Sequence, residues 1–172
     1  MCKESGLSVL INNAGVMENV DLRNGTGDEM VNHYKVNSIG PFLLIRSLLP
    51  LFQSAVKMKR KNDDLITPII MNISAILGCF SSNLMAPGGQ HISYRMTKAA
   101  FNMITKQTAP DLNKRGIHIV SLHPGWVSTD MGGPNAPMTP QVSVQHLIKL
   151  LTTIDDTNNG KMLNYDGKII DW

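Results

Sequence analysis

Hydrophobic positions fall into two kinds of run along the chain. Continuous apolar stretches occupy residues 7–11 (LSVLI), 66–73 (centred on PIIMNI) and 117–122 (IHIVSL), and each gives way to a segment rich in Asn, Ser, Gly or Pro. Runs of that length, bounded by loop residues, read as strands buried on both faces. Between them apolar residues recur at helical spacing. Met30, Val31, Tyr34, Ile39, Leu43, Leu44 and Leu48 mark a helix over residues 28–52 with Asp28 as its N-cap, and two more helices are predicted over 93–112 and 142–154. Residues 162–165 read as a last short strand, followed by a turn at YDGK.

Strands alternating with helices predict an α/β fold, a Rossmann-like parallel sheet with flanking helices, in a single domain over residues 1–172. Ligands of such sheets bind at the carboxyl ends of the strands. NNAG (12–15), SAILG (74–78) and HPGWVST (123–129) each follow a strand, so all three loops are expected on that one edge. Inside the 28–52 helix, Pro41 has no N–H to offer the carbonyl of Asn37 four residues earlier. That carbonyl needs another partner, such as a water, unless the helix simply kinks and turns it to solvent.

Composition narrows the function classes. With 172 residues, 42% hydrophobic and 17% charged, the chain can bury a core without disulfides or metal. A formal charge of +3, carried by scattered Lys and Arg, does not suggest a nucleic-acid partner. The one basic cluster, KMKRK at 57–61, is followed by Asp63 and Asp64 and reads as a solvated loop. Cys2 and Cys79 give neither a disulfide framework nor metal-ligand spacing, so a reducing, cytoplasmic setting is the default. The apolar runs are broken by charge or proline short of a membrane span, and the N-terminus lacks a signal-peptide pattern. No membrane partner is expected.

The candidate chemistry centres on YRMTK, where Tyr94 and Lys98 stand four residues apart. On a helix that spacing stacks the two side chains on one face. A cation beside a phenol favours the phenolate and draws a pKa near ~10 toward neutrality. Exposed amphipathic pairs share the same spacing, so the rest of the chain has to decide between the two.

NNAG after a strand, Asn37 in the next helix, a Ser-containing strand end, Tyr-x-x-x-Lys on a helix, and PG followed by Thr occur here in order. Together they resemble the short-chain dehydrogenase/reductase family over nearly all of the chain. SYRMTKAAFN, SLHPGWVSTDMGG and the NYDG tail look most like its carbonyl reductases of the sniffer and C-factor type. The resemblance implies an oxidoreductase that moves a hydride between NADP or NAD and a small carbonyl or alcohol substrate. Tyr94 would be the general acid or base and, with Lys98, one of the cofactor-binding residues. Lys98 would lower the phenol's pKa and hold the nicotinamide ribose, and Asn37 would hold a water through its backbone carbonyl. Asn13, Ala14 and Gly15 would line the adenine ribose side; Pro124, Gly125, Val127 and Thr129 would cradle the nicotinamide and its phosphates. A homo-oligomer, or a partner covering the sheet edge, is also implied.

Two departures from the family's pattern stand out. The glycine-rich phosphate loop is absent, and the segment that would carry it is expected upstream of Met1. In a sheet of strand order 3-2-1-4-5-6 the chain would then begin at the fourth strand, leaving residues 7–11 as an apolar edge. The second departure is the serine that positions the substrate carbonyl, expected three residues before Gly78, where Ala75 stands. Ser74 is next door and is carried as a catalytic candidate, with Ser81 and Ser82 further along. Losing such a donor costs about 10²–10³ in rate. The departures leave an alternative, a catalytically silent remnant that binds a partner.

Overall fold

A computed structural model describes residues 6–62, 66–82 and 89–172. Cys2, Asp63, Asp64 and residues 83–88 of the loop after β2 lie outside them. The strands are β1 (Val9–Asn12), β2 (Ile69–Ile73), β3 (His118–His123), β4 (Met162–Asn164) and β5 (Ile169–Ile170), hydrogen-bonded in that order into one sheet. β1 to β4 run parallel, as the alternating pattern predicts. β5, just past the YDGK turn and given no element by the sequence pattern, adds an antiparallel edge through Met162↔Ile170 and Leu163↔Ile169.

The helices are α1 (Gly27–Tyr34), α2 (Gly40–Lys59), α3 (Ile92–Lys114) and α4 (Pro140–Leu151). The N-cap of α1 is Thr26, whose side chain accepts from the Glu29 N–H, rather than Asp28. Asp28 instead sits in the first turn, where a negative charge suits the helix dipole. Residues Lys35–Ile39 join α1 to α2 as a π-helical turn, and the Gly40 N–H reaches back to Lys35 O. This is how the helix continues past Pro41: one residue is taken up in a wider turn. Asn37 is wholly buried there, so the alternative of a simple solvent-facing kink does not describe this turn.

The unbroken helical run Gly27–Lys59 is long and apolar enough, by length and composition, to cross a membrane, contrary to the expectation from the broken runs. In the fold it is a sheet-packing helix. Ile45, Phe52 and Val56 of α2 join Ala109 and Leu112 of α3 over Ile70 and Ile119 on one face of the sheet. On the opposite face Leu150 of α4 packs with Ile69, Met71, Ile73, Val120, Leu122 and Leu163. Successive strand residues point to opposite faces, and these two sets divide along that alternation. Among the described residues β1 is an edge strand, with Ile11 45% exposed.

Three polar residues interrupt the α2/α3 face in register, Asn12, Asn72 and Ser121. Asn12 Nδ2 donates to Asn72 Oδ1 at 2.8 Å, and Asn72 Nδ2 donates to Thr105 Oγ1 of α3 at 2.9 Å. Ser121 Oγ donates to the same Thr105 oxygen at 2.8 Å. Buried polar atoms are costly unless paired, so this chain fixes the register of β1, β2 and β3 against α3 at the end where the loops begin.

Candidate active site

Lys98 is the meeting point. Its side chain, 3% exposed, donates from Nζ to the carbonyl of Ile73, the last residue of β2, at 2.8 Å. The ammonium stands 5.5 Å from the Tyr94 ring centroid and 5.3 Å from that of Phe101. Gly15, at the end of NNAG, closes the other side: a Cβ built there would lie 3.7 Å from Lys98 Nζ and 3.3 Å from Asn37 Oδ1. The carboxyl ends of β1 and β2 and the helix of Tyr94 therefore converge on one ammonium.

α3 is held close to β2 by a missing side chain. A Cβ on Gly78 would stand 2.6 Å from the Lys98 carbonyl carbon and 2.7 Å from Ala99 N. The main chain of the Ile76–Gly78 turn thus lies directly on α3 at the level of the lysine.

Asn37 ties the loop after β1 to α3 through its side chain. Nδ2 donates to Val16 O at 2.9 Å and to Thr97 Oγ1 at 3.0 Å, and Oδ1 accepts from the Val16 N–H at 2.8 Å. Ser38 Oγ adds a bond to Thr97 O at 2.8 Å.

Burial sets the electrostatics. It pushes the Tyr94 phenol up to about 12 and pulls Lys98 down to about 8. The expectation that Lys98 lowers the phenol's pKa is not met in the chain by itself, because desolvation dominates Tyr94 and the ammonium is turned to Ile73 O. At neutral pH the pair is a protonated phenol beside a protonated amine.

The remaining candidates divide. Asn13 and Ala14 are exposed at the end of β1. Pro124, Gly125 and Val127 are half-buried after β3 and Thr129 is exposed, in a loop braced by a Val127↔Met138 bridge and by Ser143 Oγ donating to Pro124 O at 2.8 Å. Ser74, carried as a catalytic candidate, is buried at 2% exposure and its hydroxyl donates to Asn102 Oδ1 at 2.6 Å. That bond joins the end of β2 to α3 two turns beyond Tyr94, on the face opposite to that of its neighbour Ala75. Ser81 donates to Asp171 O, which gives it a different task as well.

Thr97 and Asn102 support the site and were not singled out by sequence reasoning, while Asn12 and Gly78 were named only as members of the NNAG and SAILG loops. A polar residue closing an apolar strand was the one available signal, for Asn12.

The donor set fits the nicotinamide end of a dinucleotide. A buried ammonium can donate to ribose hydroxyls, and Gly15 leaves beside it a hollow that a Cβ would fill. No glycine-rich phosphate loop occurs in the 172 residues.

Comparison with known proteins agrees with this geometry. The chain is 32% identical over 171 residues to the C-signal of Myxococcus xanthus, covering 96% of this chain and 93% of that protein. Its fold superposes on the carbonyl reductase Sniffer of D. melanogaster with TM-score 0.90 and 34% identity, covering 99% of this chain and 68% of Sniffer. The NADPH-bound carbonyl reductase from chicken fatty liver superposes with TM-score 0.89 and 36% identity, over 99% and 68% of the two chains. The short chain dehydrogenase profile matches residues 3–139, a span that runs from before β1 through Tyr94 and Lys98 to the end of the loop after β3. By sequence and by fold, the chain belongs to the short chain dehydrogenase family.

Proposed function

We propose that the chain is an NADP- or NAD-dependent oxidoreductase of small carbonyl and alcohol substrates, with Tyr94 as the proton donor in the reductive direction. The observation that carries this reading is the buried Tyr94–Lys98 pair, with Lys98 anchored to Ile73 O beside Gly15. A bound nicotinamide supplies hydride chemistry. The chain's part is to hold the cofactor's ribose, place the substrate oxygen and move a proton at the Tyr94 hydroxyl. A phenol kept at about 12 stays protonated at neutral pH and has its proton ready for an oxygen that gains negative charge. Lys98, near 8, keeps most of its positive charge there and offers its remaining N–H groups to the ribose.

Pro124, Gly125, Val127 and Thr129 are proposed for the nicotinamide side, and Asn13, Ala14 and Gly15 for the adenine ribose side. Asn37 is proposed to lend its main-chain carbonyl, which Pro41 cannot pair, to a water beside Lys98. Two similar structures are carbonyl reductases and one of them holds NADPH, which supports the cofactor and substrate class. The alternative of a silent remnant draws no support from these relatives. A cytoplasmic setting is proposed with the same reading.

The deciding experiment titrates NADPH and NADH against the purified chain, followed by nicotinamide fluorescence. Saturable binding by either is expected. Absence of binding at millimolar cofactor would end the claim that this chain is itself an oxidoreductase.

A further inference from the structure

Ser93 and Thr97 stand four apart on α3, each one residue before a member of the Tyr94–Lys98 pair. His33 and Asn37 stand four apart on the helix opposite, and Val16 and Glu18 two apart in the loop after β1. Hydrogen bonds join them into two parallel rungs. The first, Val16–Asn37–Thr97, belongs to the site already described.

The second rung runs through His33, which is wholly buried. Its Nε2 lies 3.2 Å from the Glu18 N–H. A backbone N–H only donates, so Nε2 is the accepting nitrogen and Nδ1 carries the hydrogen. Nδ1 donates to Glu29 O at 3.1 Å and stands 2.6 Å from Glu29 Oε1, close but not aligned for a hydrogen bond. The other carboxylate oxygen, Oε2, accepts from Ser93 Oγ at 3.0 Å. The same loop is tied to the start of α3 a second time, by the Ile92 N–H donating to Val20 O at 3.1 Å. Immediately before these ties His91 takes φ 56, a left-handed conformation that a non-glycine residue keeps only when its surroundings hold it there.

We propose that His33 and Glu29 are positioning residues for Tyr94, fixing the first turn of α3 against the loop after β1. The inference rests on the reading of Tyr94 as the proton donor. From Thr97 onward α3 is already tied to Ile73, Ser74, Asn72 and Ser121; the second rung extends that hold one turn back, to the end of the helix that carries Tyr94. Tyr94 is on the turn that the second rung controls, directly after Ser93, so a shift of that turn moves its ring. Misplacing a reacting group by 1 Å costs about 10²-fold in rate. Packing alone needs no imidazole here, because an apolar ring would fill the volume. It would leave the Glu18 N–H without its acceptor, and the Glu29 carboxylate without the ring N–H beside it.

The test compares His33→Phe, which fills the space without either nitrogen, with His33→Gln, which offers an acceptor for Glu18 and a donor toward Glu29. Ser93→Ala cuts the same rung at its other end without disturbing the buried ring. Each is assayed by amide hydrogen exchange and by NADPH-dependent reduction of a reactive dicarbonyl. In His33→Phe and Ser93→Ala the amides of Glu18 and Ile92 are expected to exchange about tenfold faster while those of β2 and β3 stay protected. kcat is expected to fall about 10- to 100-fold, with KM for NADPH within about twofold of the parent. His33→Gln restores most of both. Folded variants with unchanged exchange and unchanged kcat would overturn the proposal, as would a rise in cofactor KM at constant kcat. If the parent chain itself shows no turnover, the reading of Tyr94 fails separately, and the exchange data alone decide whether the second rung holds this turn.

Discussion

Lys98 Nζ and Ile73 O are joined by a 2.8 Å hydrogen bond that carries a buried positive charge to the end of β2. One carbonyl does not replace the hydration of an ammonium, and burial accordingly draws Lys98 from 10.5 to about 8. The sign of the pH dependence follows. Below pH 8 both folded and unfolded chains hold the proton, and burying the charge opposes folding. Between 8 and 10.5 the unfolded chain holds more protons, so this group's contribution to stability rises with pH across that window. Lys98→Met is expected to stabilise the fold at pH 7 by about 1–3 kcal/mol. It should also remove the difference in stability between pH 7 and pH 10 that Lys98 causes, as read by chemical denaturation of the two proteins at each pH. Equal stabilities at pH 7 would show that the charge is not paid for in the fold.

Tyr94→Phe removes the proton donor while keeping a buried ring of nearly the same size. Turnover of a quinone or dicarbonyl should fall by about 10²–10⁴. The affinity for NADPH should change less than about twofold, since one interaction with the reacting oxygen is lost and none with the dinucleotide's charge. Steady-state kinetics beside the fluorescence titration separate the two, and undiminished turnover would remove Tyr94 from the mechanism.

The sequence shows the parallel sheet because strands buried on both faces are continuous apolar runs and helices repeat at their own period. β5 escaped notice because two residues, Ile169 and Ile170, make no pattern. Pro41 marked the place where the long helix must depart from regular bonding, but not that a π-helical turn resolves it. Tyr94, Lys98 and Asn37 were legible through spacing and order. The partners that hold them were not. Ile73 contributes only a main-chain oxygen, and Asn37 meets Val16 and Thr97 across long stretches of chain. For Ser74 the residue type could be read from the sequence but not its bond to Asn102, which depends on which face of β2 it occupies.

Gly78 offers a test of how tightly α3 must lie on β2. The atoms that an added Cβ would meet at 2.6 and 2.7 Å are main chain of Lys98 and Ala99, which cannot turn aside as a side chain could. Gly78→Ala is expected to cost about 1–3 kcal/mol by overpacking. Because the displacement falls on the turn that carries Lys98, NADPH affinity should drop as well. A thermal melt and a cofactor titration on the same sample check both, and unchanged values in each would mean that the turn and α3 separate without consequence.

Ala75 and Ser74 make opposite predictions for neighbouring positions. Ala75, 6% exposed and extended in backbone, precedes the Ile76–Gly78 turn at the place where the family's resemblance puts a substrate-positioning hydroxyl. A preorganised donor to the developing oxyanion is worth about 10²–10³ in rate, so Ala75→Ser should raise turnover by at least about tenfold even with imperfect aim. Ser74→Ala removes a hydroxyl bound to Asn102, leaving a buried amide oxygen short of a partner. Its cost should appear as about 1–3 kcal/mol of stability, with kcat within about threefold of the parent. Measuring kcat and denaturation midpoint for both variants separates a hydroxyl that touches substrate from one that holds the fold. A loss of stability in Ser74→Ala without loss of rate, beside a gain of rate in Ala75→Ser, is the expected pair. If turnover collapses in a folded Ser74→Ala variant instead, Ser74 regains the substrate-positioning role despite its bond to Asn102.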